Sequence, residues 1–229
     1  MRKIAISDIH GCNDTFQRLL EKLALVSGDE LYLLGDYIDR GADSKGVLDT
    51  IFLLQQQGLS VQCLKGNHEQ MILDAVDGID DELMDLWLDN GGIATLESFV
   101  VNGKPNVADE YFTFLENLDL YFEVDEYILV HAGFNFKIPL PFADGDAMLW
   151  IRDWYHNLNR NWLGDRIIVH GHTPMRKDEI REQFKNLDNL PILDIDGGCV
   201  HKGKRRGVGY LCAFDMTNRE LYFQDNIEN

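Results

Sequence analysis

Three short apolar runs, at residues 3–7, 30–34 and 60–64, are separated by single stretches of helical periodicity, and that alternation leaves few ways to fold. Between the first two, Phe16, Leu19, Leu20 and Leu23 fall at i, i+3, i+4 and i+7, the stripe of an amphipathic helix. Before the third, a helix is expected to begin at Ser44 as N-cap, to bury Val47, Leu48, Ile51 and Leu54, and to stop at Gly58. Strands joined by single helices run parallel. Ligands then belong at the loops that leave the strands' carboxyl ends.

The pattern changes at about residue 69. Helical pieces at 69–76 and 81–88, with the acidic stretch DGIDDELMD among them, read as a helical insertion reaching to about residue 118. Its aromatic residues, Trp87, Phe99, Tyr111, Phe112 and Phe114, have the spacing of an insertion core rather than of a stacking platform. From residue 121 strand signals return, at 121–124, 127–131, 166–170, 191–196, 210–215 and 220–224. The tight links Asp125-Glu126 and Met216-Thr217-Asn218 imply antiparallel hairpins. Together these features predict an α/β fold, a mixed β-sandwich flanked by helices, in a single domain over residues 1–229. A content of 45% hydrophobic residues is enough for its core.

With 21 basic and 39 acidic residues the net charge is −18, which repels a polyphosphate backbone and argues against nucleic acid as the main partner. The opening MRKIAIS has too short an apolar stretch for a secretory signal, and no apolar run approaches the roughly 20 residues of a membrane span. A soluble, cytoplasmic protein without a membrane partner is expected. Cys12, Cys63, Cys199 and Cys212 form no C-x-x-C pair and read as reduced thiols. No heptad or long apolar edge demands a dimer, so the oligomeric state stays open.

Each of the first three strands is followed by potential metal ligands: SDIHG, GDYIDRG and KGNHEQ. Asp8 and His10 are two residues apart, so in extended backbone both side chains leave on one face. Further on come HAG, containing His131, and VHGHTP, containing His170 and His172. Four of the seven histidines (His10, His68, His131, His172) thus stand in glycine-flanked loops after strands, where helix packing does not require them. Carboxylate, amide and imidazole ligands together suit Mn²⁺, Fe²⁺ or Zn²⁺. Two such ions, roughly 3.5–4 Å apart, would share a carboxylate.

SDIHG, GDYIDRG, GNHE, HAG and GHT, in this order over residues 7–173, resemble the motifs of the phosphoprotein phosphatase family of calcineurin-like metallophosphoesterases. GNHEQMILDA and WLDNGG are most similar to the short phage-lambda-type and bacterial serine/threonine protein phosphatases. The resemblance implies the calcineurin-like fold and two divalent ions, Mn²⁺ first, with Fe or Zn as alternatives. By the same resemblance, Asp8 and His10 match ligands of the first metal, Asp36 the bridging carboxylate, and Asn67, His131 and His172 ligands of the second. Asp39 matches the carboxylate that orients His68, and His68 matches a proton donor to the leaving oxygen. Arg40 matches a phosphate-binding arginine, Arg152 in LWIRD the next such position, and Asn67 contributes to the same substrate phosphate. His170 lies outside the pattern and reads as a strand-end packing residue.

The activity implied is hydrolysis of phosphoserine and phosphothreonine in proteins or peptides, by direct attack of a metal-bridging hydroxide. An alternative is hydrolysis of dinucleoside polyphosphates such as diadenosine tetraphosphate, because enzymes of that kind resemble the same scaffold. Asp39 favours the phosphatase, since the hydrolase motif typically lacks that acid. Phosphodiesterase action and a catalytically dead scaffold module are further readings, the latter opposed by a full set of ligands. One departure lies near the C-terminus, where LDIDGG places Gly197 at the threonine position of the family's I-D-T-G. The following HKGKRRG packs Lys202, Lys204, Arg205 and Arg206 into five positions. It is either a solvated surface loop or an attractor for a phosphorylated substrate.

Overall fold

The computed structural model describes residues 1–78 and 81–228. Ile79 and Asp80, within the acidic stretch of the insertion, lie outside them. The strands are β1 (Lys3–Ile6), β2 (Glu30–Leu33), β3 (Ser60–Cys63), β4 (Val100–Val101), β5 (Lys104–Pro105), β6 (Tyr121–Val124), β7 (Tyr127–Val130), β8 (Ile167–His170), β9 (Ile192–Asp194), β10 (Tyr210–Asp215) and β11 (Glu220–Asp225). The helices are α1 (Asn13–Leu23), α2 (Ser44–Gln56), α3 (Asn67–Val76), α4 (Asp81–Trp87), α5 (Ile93–Ser98), α6 (Asp109–Glu116), α7 (Gly145–Trp150), α8 (Arg160–Leu163) and α9 (Lys177–Lys185).

One sheet has the order β11-β10-β1-β2-β3 and the other β6-β7-β8-β9, while β4 and β5 form a separate two-stranded ribbon. As expected, β1, β2 and β3 are parallel, with Ile4 opposite Leu31 and Leu31 opposite Val61. The two expected hairpins, β6–β7 and β10–β11, are antiparallel. Strands β7, β8 and β9 are parallel to one another.

The period of two along each strand divides the core into layers. Ala5 and Tyr32 face Leu129, Val169 and Leu193 of the other sheet and make the filling between them. Ile4, Ile6, Leu31 and Leu33 point the opposite way, under Phe16 and Leu19 of α1 and Val47 and Ile51 of α2. Ile128, Val130, Ile168 and Ile192 do the same on the far side, beneath Phe134, Met148 and Trp154. The result is helices outside two packed sheets. Trp87, Phe99 and Tyr111 are buried in the first outer layer and Phe112 and Phe114 pack against it, so the insertion's aromatics do form core. All four cysteines are free and buried, and among the described residues no helix is long and apolar enough to cross a membrane.

Three local expectations need correction. Asp43, not Ser44, caps α2, its carboxylate accepting the Gly46 N–H at 2.9 Å. Ser44 starts the helix, and its hydroxyl is thereby free to bond elsewhere. Leu54 is only partly buried against the core. Helix α4 ends at Trp87 rather than at 88, and a π turn over Leu88–Gly92 follows. Gly91 takes φ 113° there, and a Cβ would press on Arg40, so glycine lets the insertion lie directly on that residue. Helices α7, α8 and α9 and the β4–β5 ribbon carry no clear periodic signal, being short or, in α9, charged at most positions.

Candidate metal centre

The loops after β1, β2, β3, β7 and β8 all open at carboxyl ends of parallel strands, where the topology gathers them. Asp36 stands in the middle. Its Oδ2 lies 3.4 Å from His10 Nε2 and its Oδ1 lies 3.5 Å from His131 Nε2. His10, Asp36 and His68 form one group of buried potential ligands, and Asp36, His131 and His172 a second, so Asp36 belongs to both. Asn67 joins the second group, with Oδ1 3.0 Å from His131 Nε2.

The hydrogen bonds on the far side of each ring fix what faces inward. His10 Nδ1 donates to the Ile38 carbonyl and His131 Nδ1 to the Leu34 carbonyl, both at 2.8 Å, so each Nε2 presents a lone pair to the centre. Burial lowers the affinity of His10, His131 and His172 for protons, which keeps these rings in the neutral form that binds metal. The lone pair of His131 Nε2 faces Asn67 Oδ1 and lies 3.2 Å from His172 Nδ1, a convergence of acceptors that a cation would relieve. His172 Nε2 is buried with no hydrogen-bond partner. Toward His10 Nε2 the Arg40 guanidinium, at 2.8 Å, supplies the positive charge. These donors fit divalent ions of the kind that accept mixed nitrogen and oxygen ligands.

Asp8 is placed differently from the other candidates. Both its oxygens lie 3.1 Å from the backbone N–H of His172, and Ser7 Oγ donates to Oδ2, so it ties the β1 loop to the β8 loop, and it falls in neither ligand group. Burial, then the neighbouring Asp196 and Asp36, pushes its carboxyl well up. Glu69 and Asp196 are buried carboxyls that the motifs did not single out, and burial raises each to about 7. Glu69 accepts the N–H groups of Asp36, Tyr37 and Gly66 at 2.8–2.9 Å, stitching the β2 loop to the start of α3. Against the burial that would raise it, the surrounding imidazoles hold Asp36 below the usual carboxylate range.

The loop backbones carry strain. Asp8, His10, Asp36, Asp39, Arg40 and His172 have φ of 49, 47, 55, 70, 69 and 73°, a left-handed region that costs a non-glycine residue ~1–2 kcal/mol. Gly66 is needed for a different reason, because a Cβ there would collide with the Asp36 carboxylate.

His68 is set by a network that the insertion completes. His68 Nδ1 is 2.6 Å from Asp39 Oδ2, and Asp39 in turn accepts from Trp87 Nε1 at 3.0 Å and from Thr95 Oγ1 at 2.7 Å. The Asp39 N–H donates to Ser44 Oγ and Thr95 Oγ1. His68 Nε2 points to the cluster, buried and without a hydrogen-bond partner. Trp87, Thr95, Ser44 and Glu69 are site residues that motif reading did not assign; WLDNGG held the one signal for Trp87.

Arg152 reaches across from the opposite side, Nη1 donating to the His172 carbonyl at 3.1 Å and to Thr173 Oγ1 at 2.8 Å. Arg152 is itself exposed, and these two bonds fix its guanidinium beside the β8 loop. His170 is a packing residue as expected, its ring against Trp154 and Tyr155 and its Nε2 accepting from the Tyr155 hydroxyl at 2.7 Å. Gly197 packs on Tyr210, where no side chain would fit.

The model of the calcineurin-like phosphoesterase family matches residues 1–201. The chain is 28% identical, over 90% of its length and 89% of the relative's, to the asymmetrical bis(5′-nucleosyl)-tetraphosphatase PrpE of Anoxybacillus flavithermus. It is 29% identical, over 96% of its length and 78% of the relative's, to a symmetrical bis(5′-nucleosyl)-tetraphosphatase of Dechloromonas aromatica. It is 28% identical, over 84% of its length and 87% of the relative's, to serine/threonine-protein phosphatase 1 of Salmonella typhimurium.

Proposed function

The chain belongs to the calcineurin-like phosphoesterase family, a family of metal-dependent hydrolases, and we propose that within it this protein cleaves the phosphoanhydride chain of dinucleoside polyphosphates. The observation that carries this reading is similarity along nearly the whole chain to two bis(5′-nucleosyl)-tetraphosphatases. It reverses the weight that Asp39 gave to a protein phosphatase.

Asp8, His10, Asp36, Asn67, His131 and His172 would hold two divalent ions. Bound there, such ions would supply an acidified water and neutralise charge on the phosphoryl oxygens. The protein's own groups do the rest. Arg40 and Arg152, on opposite sides of the cluster, hold phosphoryl oxygens as charge-assisted donors. Asn67 presents its amide to the same oxygens. His68 Nε2 faces the cluster and gives a proton to the departing oxygen, while Asp39 fixes the ring through Nδ1.

That last device favours a second reading, hydrolysis of phosphoserine and phosphothreonine. A nucleotide leaves as a weakly basic phosphate, but serine and threonine leave as strongly basic alkoxides, for which a proton donor matters most. The similarity to a serine/threonine phosphatase supports it too. The deciding experiment measures kcat/KM of the Mn²⁺-loaded protein on diadenosine tetraphosphate and on a phosphothreonine peptide. The nucleotide is expected to lead by at least about tenfold, or ~1.4 kcal/mol in transition-state binding. A lead for the peptide would overturn the first reading in favour of the second.

The basic loop serves either substrate. Lys204, Arg205 and Arg206 are exposed, and Arg205 lines the same cavity as Arg152. Neutralising Lys202, Lys204, Arg205 and Arg206 together is expected to raise KM for diadenosine tetraphosphate or a phosphopeptide several-fold more than KM for p-nitrophenyl phosphate. Added salt should narrow the difference, because exposed charges act through a screened field. Equal changes on all substrates, at low salt and high, would assign the loop to solvation alone.

A further inference from the structure

A cavity of about 440 Å³ opens beside the metal cluster, within the range of small-molecule sites. Arg152, which touches the β8 loop of the cluster, lines it, and so does Arg205 of the basic loop. Anything seated there would keep its phosphates within reach of both arginines. Tyr155 and His156 give the cavity aromatic surface, and Ile151, Pro174 and Met175 apolar surface. Asp194 also lines it, and its side chain is 99% buried by its 1% exposure.

Asp194 is the unexplained group. Its Oδ1 accepts the Asp196 N–H at 2.9 Å, but its Oδ2 has no hydrogen-bond partner. His170 Nδ1, at 3.9 Å, is already committed to the Gly171 carbonyl. A buried carboxylate oxygen left unpaired is costly, and a ligand N–H would repay that cost. Burial accordingly pushes this carboxyl well above its ordinary range.

We propose that this cavity seats a nucleoside of the dinucleotide substrate, a purine whose exocyclic amino group donates to Asp194 Oδ2 while its ring lies against Tyr155 and His156. The assignment rests on the dinucleoside polyphosphate reading and adds which base it takes and where. The amino group distinguishes adenine from a purine lacking it.

The test titrates adenosine and purine riboside, which lacks only the exocyclic amine, into the Mn²⁺-loaded protein, following tryptophan fluorescence and calorimetry. Wild type is expected to bind adenosine about tenfold more tightly than purine riboside, the order of one buried hydrogen bond. Asp194→Asn is expected to abolish that preference, and His156→Ala, at an exposed position, to weaken both nucleosides together. Equal affinities in wild type, no binding of adenosine, or a preference that survives Asp194→Asn would overturn the assignment. If Asp194→Asn does not fold, the wild-type ratio and His156→Ala decide it. Selective adenosine binding without turnover of diadenosine tetraphosphate would sink the hydrolase reading and leave the pocket standing. Turnover without base preference would do the reverse.

Discussion

Replacing Asp36 with Asn is expected to lower Mn²⁺ affinity and turnover each by at least about a hundredfold, since even partners outside the ligand shell of a metal cost 10–100-fold. Among the described residues Asp36 is the carboxylate shared by both ligand groups, so its loss should be felt by two ions together. A second readout comes from stability. Metal that binds only the folded protein raises its melting temperature by mass action. Mn²⁺ should therefore raise the Tm of wild type clearly and that of Asp36→Asn little, and EDTA should remove the difference. Retention of two ions per chain by Asp36→Asn would refute the shared-carboxylate role.

His68→Asn is the second large effect, and its size should depend on the leaving group. On a phosphothreonine peptide or an alkyl phosphate, kcat should fall by about 10²–10⁴, the usual contribution of a positioned proton donor. On diadenosine tetraphosphate or p-nitrophenyl phosphate, whose leaving groups need little help, the fall should be under about tenfold. Asp39→Asn should reproduce the pattern in weaker form, because it leaves the imidazole present but disturbs its partner at Nδ1. His68 also stands in the ligand group of His10 and Asp36, so metal content must be measured alongside. A uniform loss on all substrates together with lost metal would make His68 a ligand instead of a proton donor.

Much of the frame is legible because it is local. The β1–β3 register, the helices between them and the ligand loops each follow from periodicities and short motifs in one stretch of chain. His10, Asp36, His131 and His172 come together in the two ligand groups and Asn67 lies beside His131, while Asp8 falls in neither group. What escaped is non-local or conformational. Trp87 and Thr95 reach Asp39 from 48 and 56 residues away, a distance no spacing rule covers. The left-handed backbone at six site residues, aspartates and histidines among them, is imposed by tertiary contacts against their own preference. Ser44 illustrates the competition, since it has the composition of a cap, yet Asp43 takes that role and leaves the Ser44 hydroxyl to Asp39. The cavity beside the cluster escaped for the same reason, since single residues from distant segments meet in its walls.

The pairing of β1 with β10 joins Ile4 to Asp215, across nearly the whole chain. During synthesis, then, β1 leaves the ribosome with one edge open, and the partner for that edge is made only when Tyr210–Asp215 emerge. His172 and Asp196 likewise arrive long after Asp8 and Asp36. Early loops must wait, and a nascent chain with an unpaired strand edge is exposed to association with its neighbours. Closure of this sheet thus waits for β10: a chain cut before Tyr210 would retain every metal-binding motif and still lack the strand that pairs with β1 beneath them.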